Sequence, residues 1–147
     1  MNRIIMGLIL FLYTSLTFAA PSAAGVMQAG QTWANAVDAR NAQQITALYD
    51  SHAYLYATFQ NMLDNKKDIY KYFVKLAANQ DLKVNFNKEH IRLYGDTAIN
   101  SGLYTFSYVD HGKQVVVPAR YTFVYTYTPA GWLIVDHHSS VLPQQNR

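Results

Sequence analysis

The spacing of apolar residues changes partway along the chain, from a helical period to the alternation typical of strands. In the first half, apolar residues recur three, four or seven positions apart, as in Val26, Trp33 and Val37. This spacing places them on one face of a helix. Residues 69–77 repeat the pattern strongly, which predicts another amphipathic helix with an ordinary core-facing stripe.

Helix-starting residues divide this half into three helices. Asn41 and Gln44 resemble a capping box before a short second helix. Asp64 or Asn65 can cap the third. Residues 52–59 between them predict a short extended piece.

From residue 82 onward, Val, Tyr, Thr and Phe dominate, which favours a pleated, half-buried surface. Short turn signals such as Gly95-Asp96 separate four long runs. The predicted strands are residues 82–94, 98–109, 114–128 and 132–142. Consecutive strands joined by tight turns form an antiparallel meander, so helices followed by this sheet predict an α+β domain.

The first 24 residues predict an export signal. They contain one charged residue, Arg3, followed by an apolar run that ends in small residues at 19–24. We expect cleavage between about residues 19 and 24, one domain over 25–147, and a periplasmic or secreted protein. The alternative is an uncleaved amphipathic anchor. After cleavage, no stable membrane insertion is expected.

The amino-acid composition excludes several kinds of site and partner. The 147 residues include no Cys and carry a formal charge of only +3. Thiol catalysis, disulfides and Cys-ligated zinc are therefore excluded, and nucleic acid is a poor candidate partner. We expect no cofactor and no metal site. The 12 tyrosines fall mostly in predicted strands, where a Tyr can line a pocket or a subunit contact.

Four segments together carry a family resemblance: residues 90–96, 98–106, 119–125 and 131–140. The chain resembles the association domain of calcium/calmodulin-dependent protein kinase II, and more closely small exported bacterial proteins of that type. The resemblance implies a cone-shaped, nuclear transport factor 2-like (SnoaL-like) fold, with three N-terminal helices packed in a strongly curved antiparallel sheet. It implies neither kinase activity nor calmodulin binding.

The same resemblance implies self-association through the sheet, as a homodimer or larger ring, and a pocket at the open end of the cone. In the kinase domains the pocket holds Arg residues, and Tyr104 takes the place of one here. We expect an anionic or aromatic small ligand. The candidate pocket residues are Tyr54, Tyr56, His90, Tyr104, Arg120 and His138.

Arg120 supports two interpretations, since its guanidinium can bind a ligand carboxylate or form a structural pair with Asp136. His138 beside Asp136, with His90 nearby, could form an acid–base pair or hold a metal. The same histidines could instead serve a sheet interface.

Two functions follow. The first is an exported oligomerising module that binds a small ligand or supports assembly. The alternative is a cofactor-independent SnoaL-like enzyme that moves a proton with His138 and Asp136.

Overall fold

The computed structural model describes residues 20–58 and 60–143, so residues 1–19 of the predicted signal lie outside the described part. The predicted helices and strands are confirmed close to their expected bounds. The helices are α1 Ala23–Asp38, α2 Ala42–Ala47 and α3 Lys66–Ala77. The strands are β1 Tyr49–Tyr56, β2 Gln80–Tyr94, β3 Thr97–Asp110, β4 Lys113–Thr128 and β5 Gly131–Val141.

Each helix begins at a side chain that accepts a hydrogen bond from the first turn. Ser22 caps α1 by accepting from the amide of Gly25. Asn41 caps α2 and Asn65 caps α3 in the same way. These bonds satisfy amides that have no partner inside the helix. None of the described helices is long and apolar enough to cross a membrane.

The sheet is mixed rather than antiparallel. Its strand order is β1-β5-β4-β3-β2. Strands β2 to β5 form the predicted meander, but β1 pairs with β5 in parallel, with Tyr54 opposite Asp136. Tight turns enforce antiparallel pairing only between strands that they join. Because α3 and the whole meander separate β1 from β5, that constraint is absent here.

The helices cover one face of the sheet, which we call the inner face; the other is the outer face. Trp33 of α1 is fully buried against rings from three strands, among them Phe86, Tyr104 and Phe123. Aromatic burial of this extent dominates the stability of a small core. The strong curvature implied by the resemblance stays a prediction.

Register shifts interrupt the pairing of several strands, and two of them bear on the site. One lies in β2 between Phe86 and Lys88, opposite Tyr104 and Leu103; next to it, a Cβ atom at Gly102 would stand 1.8 Å from the carbonyl oxygen of Lys88. The other lies in β5, where Ile134 and Asp136 oppose consecutive residues of β4 and Val135 is the extra residue. A bulge moves every later side chain to the opposite face.

Candidate functional site

The most polar feature of the inner face is a histidine buried among aromatic rings. His137 of β5 is 3% exposed and packs against Phe123, with ring centroids 4.1 Å apart. Its Nδ1 lies 2.8 Å from the hydroxyl of Tyr49, and its Nε2 lies 3.4 Å from the hydroxyl of Tyr104. Both ring nitrogens therefore have partners inside the core, as a buried imidazole requires.

Trp33 determines which nitrogen carries the proton. Its Nε1–H donates to the hydroxyl oxygen of Tyr49 at 3.2 Å, and an indole can only donate. The Tyr49 hydrogen is left to donate to Nδ1 of His137, the other partner of that hydroxyl. Nε2 of His137 then carries the hydrogen and donates to Tyr104. We assign the neutral Nε2–H tautomer on this basis.

Burial reinforces the neutral state. Desolvation lowers the pKa of His137 to about 3, with a smaller contribution from the nearby charge of His138. Burial also raises the pKa of Tyr104 far above its ordinary value, while a hydrogen bond with Ser139 opposes the shift. Both groups are neutral at physiological pH, so Tyr104 acts as a hydrogen-bond donor rather than as a base.

The hydrogen bonds continue from Tyr104 to the protein surface. Ser139 Oγ, which bonds to Tyr104, lies 3.0 Å from Oγ1 of Thr58. Trp33, Tyr49, His137, Tyr104, Ser139 and Thr58 thus form one connected series, which we call the core network. It begins in the fully buried core and ends at two partly buried hydroxyls.

Those two hydroxyls line a small cavity between α3 and the inner face of β3, β4 and β5. Its volume is about 100 Å³. The lining is mainly apolar and aromatic and includes Thr58, Tyr72, Leu76, Phe106, Tyr108 and Ser139. An apolar body with a few polar groups at one side is the usual composition of a ligand site.

Larger depressions in the described residues lie elsewhere. Two of about 410 and 510 Å³ run along α2 and α3, lined by residues such as Gln43 and Tyr70. They are open surface grooves; the buried residue Thr46 lines the first, but no member of the core network lines either. We therefore place the candidate site at the smaller cavity, where the core network ends.

The structure separates the residues that the sequence assigned to one pocket. Tyr104 faces inward and is 1% exposed. Tyr54 and Tyr56 are each 43% exposed on the outer side of β1. The remaining three predicted pocket residues are also exposed on strands: His90, Arg120 and His138.

The proposed acid–base set does not converge either. His90, Ser101, Thr122 and His138 are successive register partners across four strands, so His90 and His138 stand about 14 Å apart. Among the described residues, Asp136 forms an ion pair with neither His138 nor Arg120. Burial raises the pKa of Asp136, and His138 partly offsets this shift. Neither His138 nor Asp136 lines the small cavity or the two larger grooves described above.

The bulge at Val135 determines which side chains of β5 face the core. Trp132 and Ile134 are buried, so an unbroken strand would also direct Asp136 and His138 inward. The extra residue reverses the phase and brings His137 into the core instead. Burying the Asp136 carboxylate among aromatic rings would cost far more than burying a neutral imidazole.

Metal binding has no candidate donors in the part of the chain that the structure describes. Within residues 20–58 and 60–143, no three side chains of His, Asp or Glu come together as metal ligands.

An α+β domain with this sheet order and a cavity between helix and sheet defines the nuclear transport factor 2-like class. One similar structure is a Streptomyces avermitilis protein of the NTF2-like family that is provisionally described as a dehydratase. It matches with a TM-score of 0.75 at 18% identity. It covers 82% of this chain and 96% of its own.

The family follows from closer matches. The profile of the calcium/calmodulin-dependent protein kinase II association domain matches residues 22–143. A Xanthomonas campestris protein provisionally described as such a domain is 31% identical, with a TM-score of 0.79, over 91% of this chain and 99% of its own. The S. rosetta CaMKII hub is 19% identical, with a TM-score of 0.72. The match covers 85% of this chain and 100% of the hub chain. No curated protein gave a significant match. The chain belongs to the association-domain family, as the sequence predicted.

The buried histidine predicts a specific dependence of stability on pH. Between pH 6.5 and about 3, the unfolded chain binds a proton that folded His137 does not, so the free energy of unfolding falls as pH falls. From pH 6.5 to 5 this contribution is about 2 kcal/mol. His137→Gln, which cannot titrate, should flatten this part of the curve in denaturant unfolding.

His138→Gln is the matched control, because His138 is exposed on the adjacent position. It should leave the pH dependence close to that of the parent. Equal slopes for the parent and His137→Gln would contradict a neutral, buried His137.

Proposed function

We propose that the protein is an oligomerising module that assembles through the outer face of its sheet and leaves the inner cavity free for a small ligand. Membership in the association-domain family supports self-association. The observation that carries the proposal is the composition of the outer face, which combines an apolar centre with charges of both signs.

The apolar centre lies on β3 and β4. Ile99 and Val124 are register partners, and Leu103 lies four residues along β3 from Ile99. All three are only partly buried in a single copy. Tyr54 and Tyr56 extend this surface on β1. A second copy packed on this face would remove the apolar area from water.

Charge favours pairing of the face with itself. Lys88, Arg92 and Arg120 lie on β2 and β4, whereas Asp136 lies on β5. In a two-fold assembly, a contact of residue i in one copy with residue j in the other is repeated with the roles exchanged. The cations of one copy can then approach the carboxylate and the tyrosine rings of the other.

This arrangement assigns the predicted pocket residues a different task. Arg120, His138, Tyr54 and Tyr56 serve the subunit contact; the sequence offered this interpretation for the histidine and the tyrosines but not for Arg120. Tyr104 alone belongs to the ligand side, through Ser139. Assembly and ligand binding then use opposite faces of one sheet, so an assembled protein keeps its cavities.

We also propose that the protein is exported and that its signal ends before Ser22. Because Ser22 caps α1, cleavage after Ala24 would remove the cap and the first helical residues, whereas cleavage after Ala19 would keep both. Loss of such a cap costs about 1 kcal/mol.

A substitution at the apolar centre tests assembly. Val124→Lys should shift the mature protein toward monomer in sedimentation velocity, because it places a charge where two copies meet. Met27→Lys is the matched control, since Met27 is 53% exposed on α1, which lies on the opposite side of the sheet from the outer face. The control should assemble as the parent does. A parent that remains a strict monomer at micromolar concentration would reject the proposal.

The mass of the exported protein tests the predicted signal peptide, because it shows at which residue the mature chain begins. Expression of the full sequence should yield a periplasmic or secreted species that begins at Ala20. A cytoplasmic, full-length species would reject export, and a chain that begins at Gly25 would reject the role of Ser22.

A further inference from the structure

The small cavity carries no charge of its own. Its walls are the side chains of α3, β3, β4 and β5 together with Thr58, and no lining residue is ionised at neutral pH. Burial raises the pKa of Tyr72, one of the lining phenols, to about 12. Arg120, the cation that the sequence placed in a pocket, lies on the outer face, since its neighbours Ala119 and Tyr121 are buried on the inner one.

An ionised ligand would therefore lose its hydration without gaining a counter-charge. Transfer of an isolated carboxylate out of water is strongly unfavourable, whereas a neutral polar group needs only one hydrogen bond to offset most of its cost. The cavity thus disfavours carboxylates, although the family resemblance implied an anionic ligand.

The two hydroxyls that line the cavity determine which kind of hydrogen bond it offers. The oxygens of Thr58 and Ser139 lie 3.0 Å apart, and either hydroxyl can be the donor to the other. In both cases one of the two hydrogens is used between them and the second is available to a ligand, so an acceptor atom on the ligand matches this pair.

Size limits the ligand further. The cavity volume is about 100 Å³ and the cavity is open to solvent on one side. Because an enclosed apolar cavity of about 150 Å³ is needed for benzene, this cavity can take part of a single ring while the rest of the ligand stays in the opening. Aromatic walls from Tyr72, Phe106 and Tyr108 favour a flat apolar body.

We propose that the cavity binds an uncharged molecule of about single-ring size through a carbonyl or similar acceptor oxygen, which accepts one hydrogen bond from the Thr58–Ser139 hydroxyl pair, and that it discriminates against carboxylates. This inference rests on the ligand side of the proposed function and is independent of the assembly surface.

Benzamide and benzoate make a direct test, because they have nearly the same shape and differ in charge. Binding to the mature protein is followed by chemical shifts of the cavity residues during titration with each compound. We expect benzamide to bind at least ten-fold more tightly than benzoate. Equal or tighter binding of benzoate overturns the proposal, and so does the absence of binding by both compounds.

Substitution of the two cavity hydroxyls tests where benzamide makes its hydrogen bond. Thr58→Val/Ser139→Ala removes both mouth hydroxyls and should weaken benzamide binding at least five-fold. The matched control, Thr32→Val/Ser51→Ala, removes two hydroxyls outside the cavity and should leave the affinity unchanged. Equal effects of the two double variants would overturn the assigned contact.

Light scattering on the same samples separates this inference from the proposed assembly. A monomeric protein that still prefers benzamide would reject assembly and support the ligand class. An assembled protein that prefers benzoate would reject the ligand class alone.

Discussion

The hydrogen bond between the Tyr49 hydroxyl and Nδ1 of His137 organises the core of this domain. It joins β1 to β5, the only parallel pair in the described sheet, and Trp33 ties α1 to the same hydroxyl. All three side chains are almost fully buried. An unpaired polar group at this depth costs about 1–3 kcal/mol, so the helix, the edge strand and the last strand must keep one relative placement.

That constraint has a chemical consequence because the network is polar and directional. The donor-only indole at its start leaves the Tyr49 hydrogen for Nδ1 of His137, and burial keeps that imidazole neutral. Where the network reaches the cavity, the inner face offers neutral hydroxyls beside aromatic walls. Charged strand residues such as Arg120 and Asp136 remain on the outer face, where a second copy can match them. One sheet thereby separates ligand recognition from assembly.

Local signals in the sequence predicted much of this fold. Asn41 and Asn65 start their helices as capping residues, and the turn at Gly95 and Asp96 separates two strands as expected. The parallel β1–β5 pair left no local signal, because it depends on contacts between residues far apart in the chain. The site was misassigned for a similar reason. Alternation from Trp132 and Ile134 favours Asp136 and His138 as inner residues, and only the bulge at Val135, stabilised by tertiary packing, brings His137 inward.

The central claim is that His137 is a neutral, Nε2-protonated imidazole held between two tyrosines. Nitrogen-15 NMR of the histidine rings in the folded protein at pH 5 tests it most directly, since each ring nitrogen reports whether it carries a hydrogen. We predict that His137 shows a protonated Nε2 and an unprotonated Nδ1. A His137 imidazolium at pH 5, or the Nδ1–H tautomer, would contradict the account.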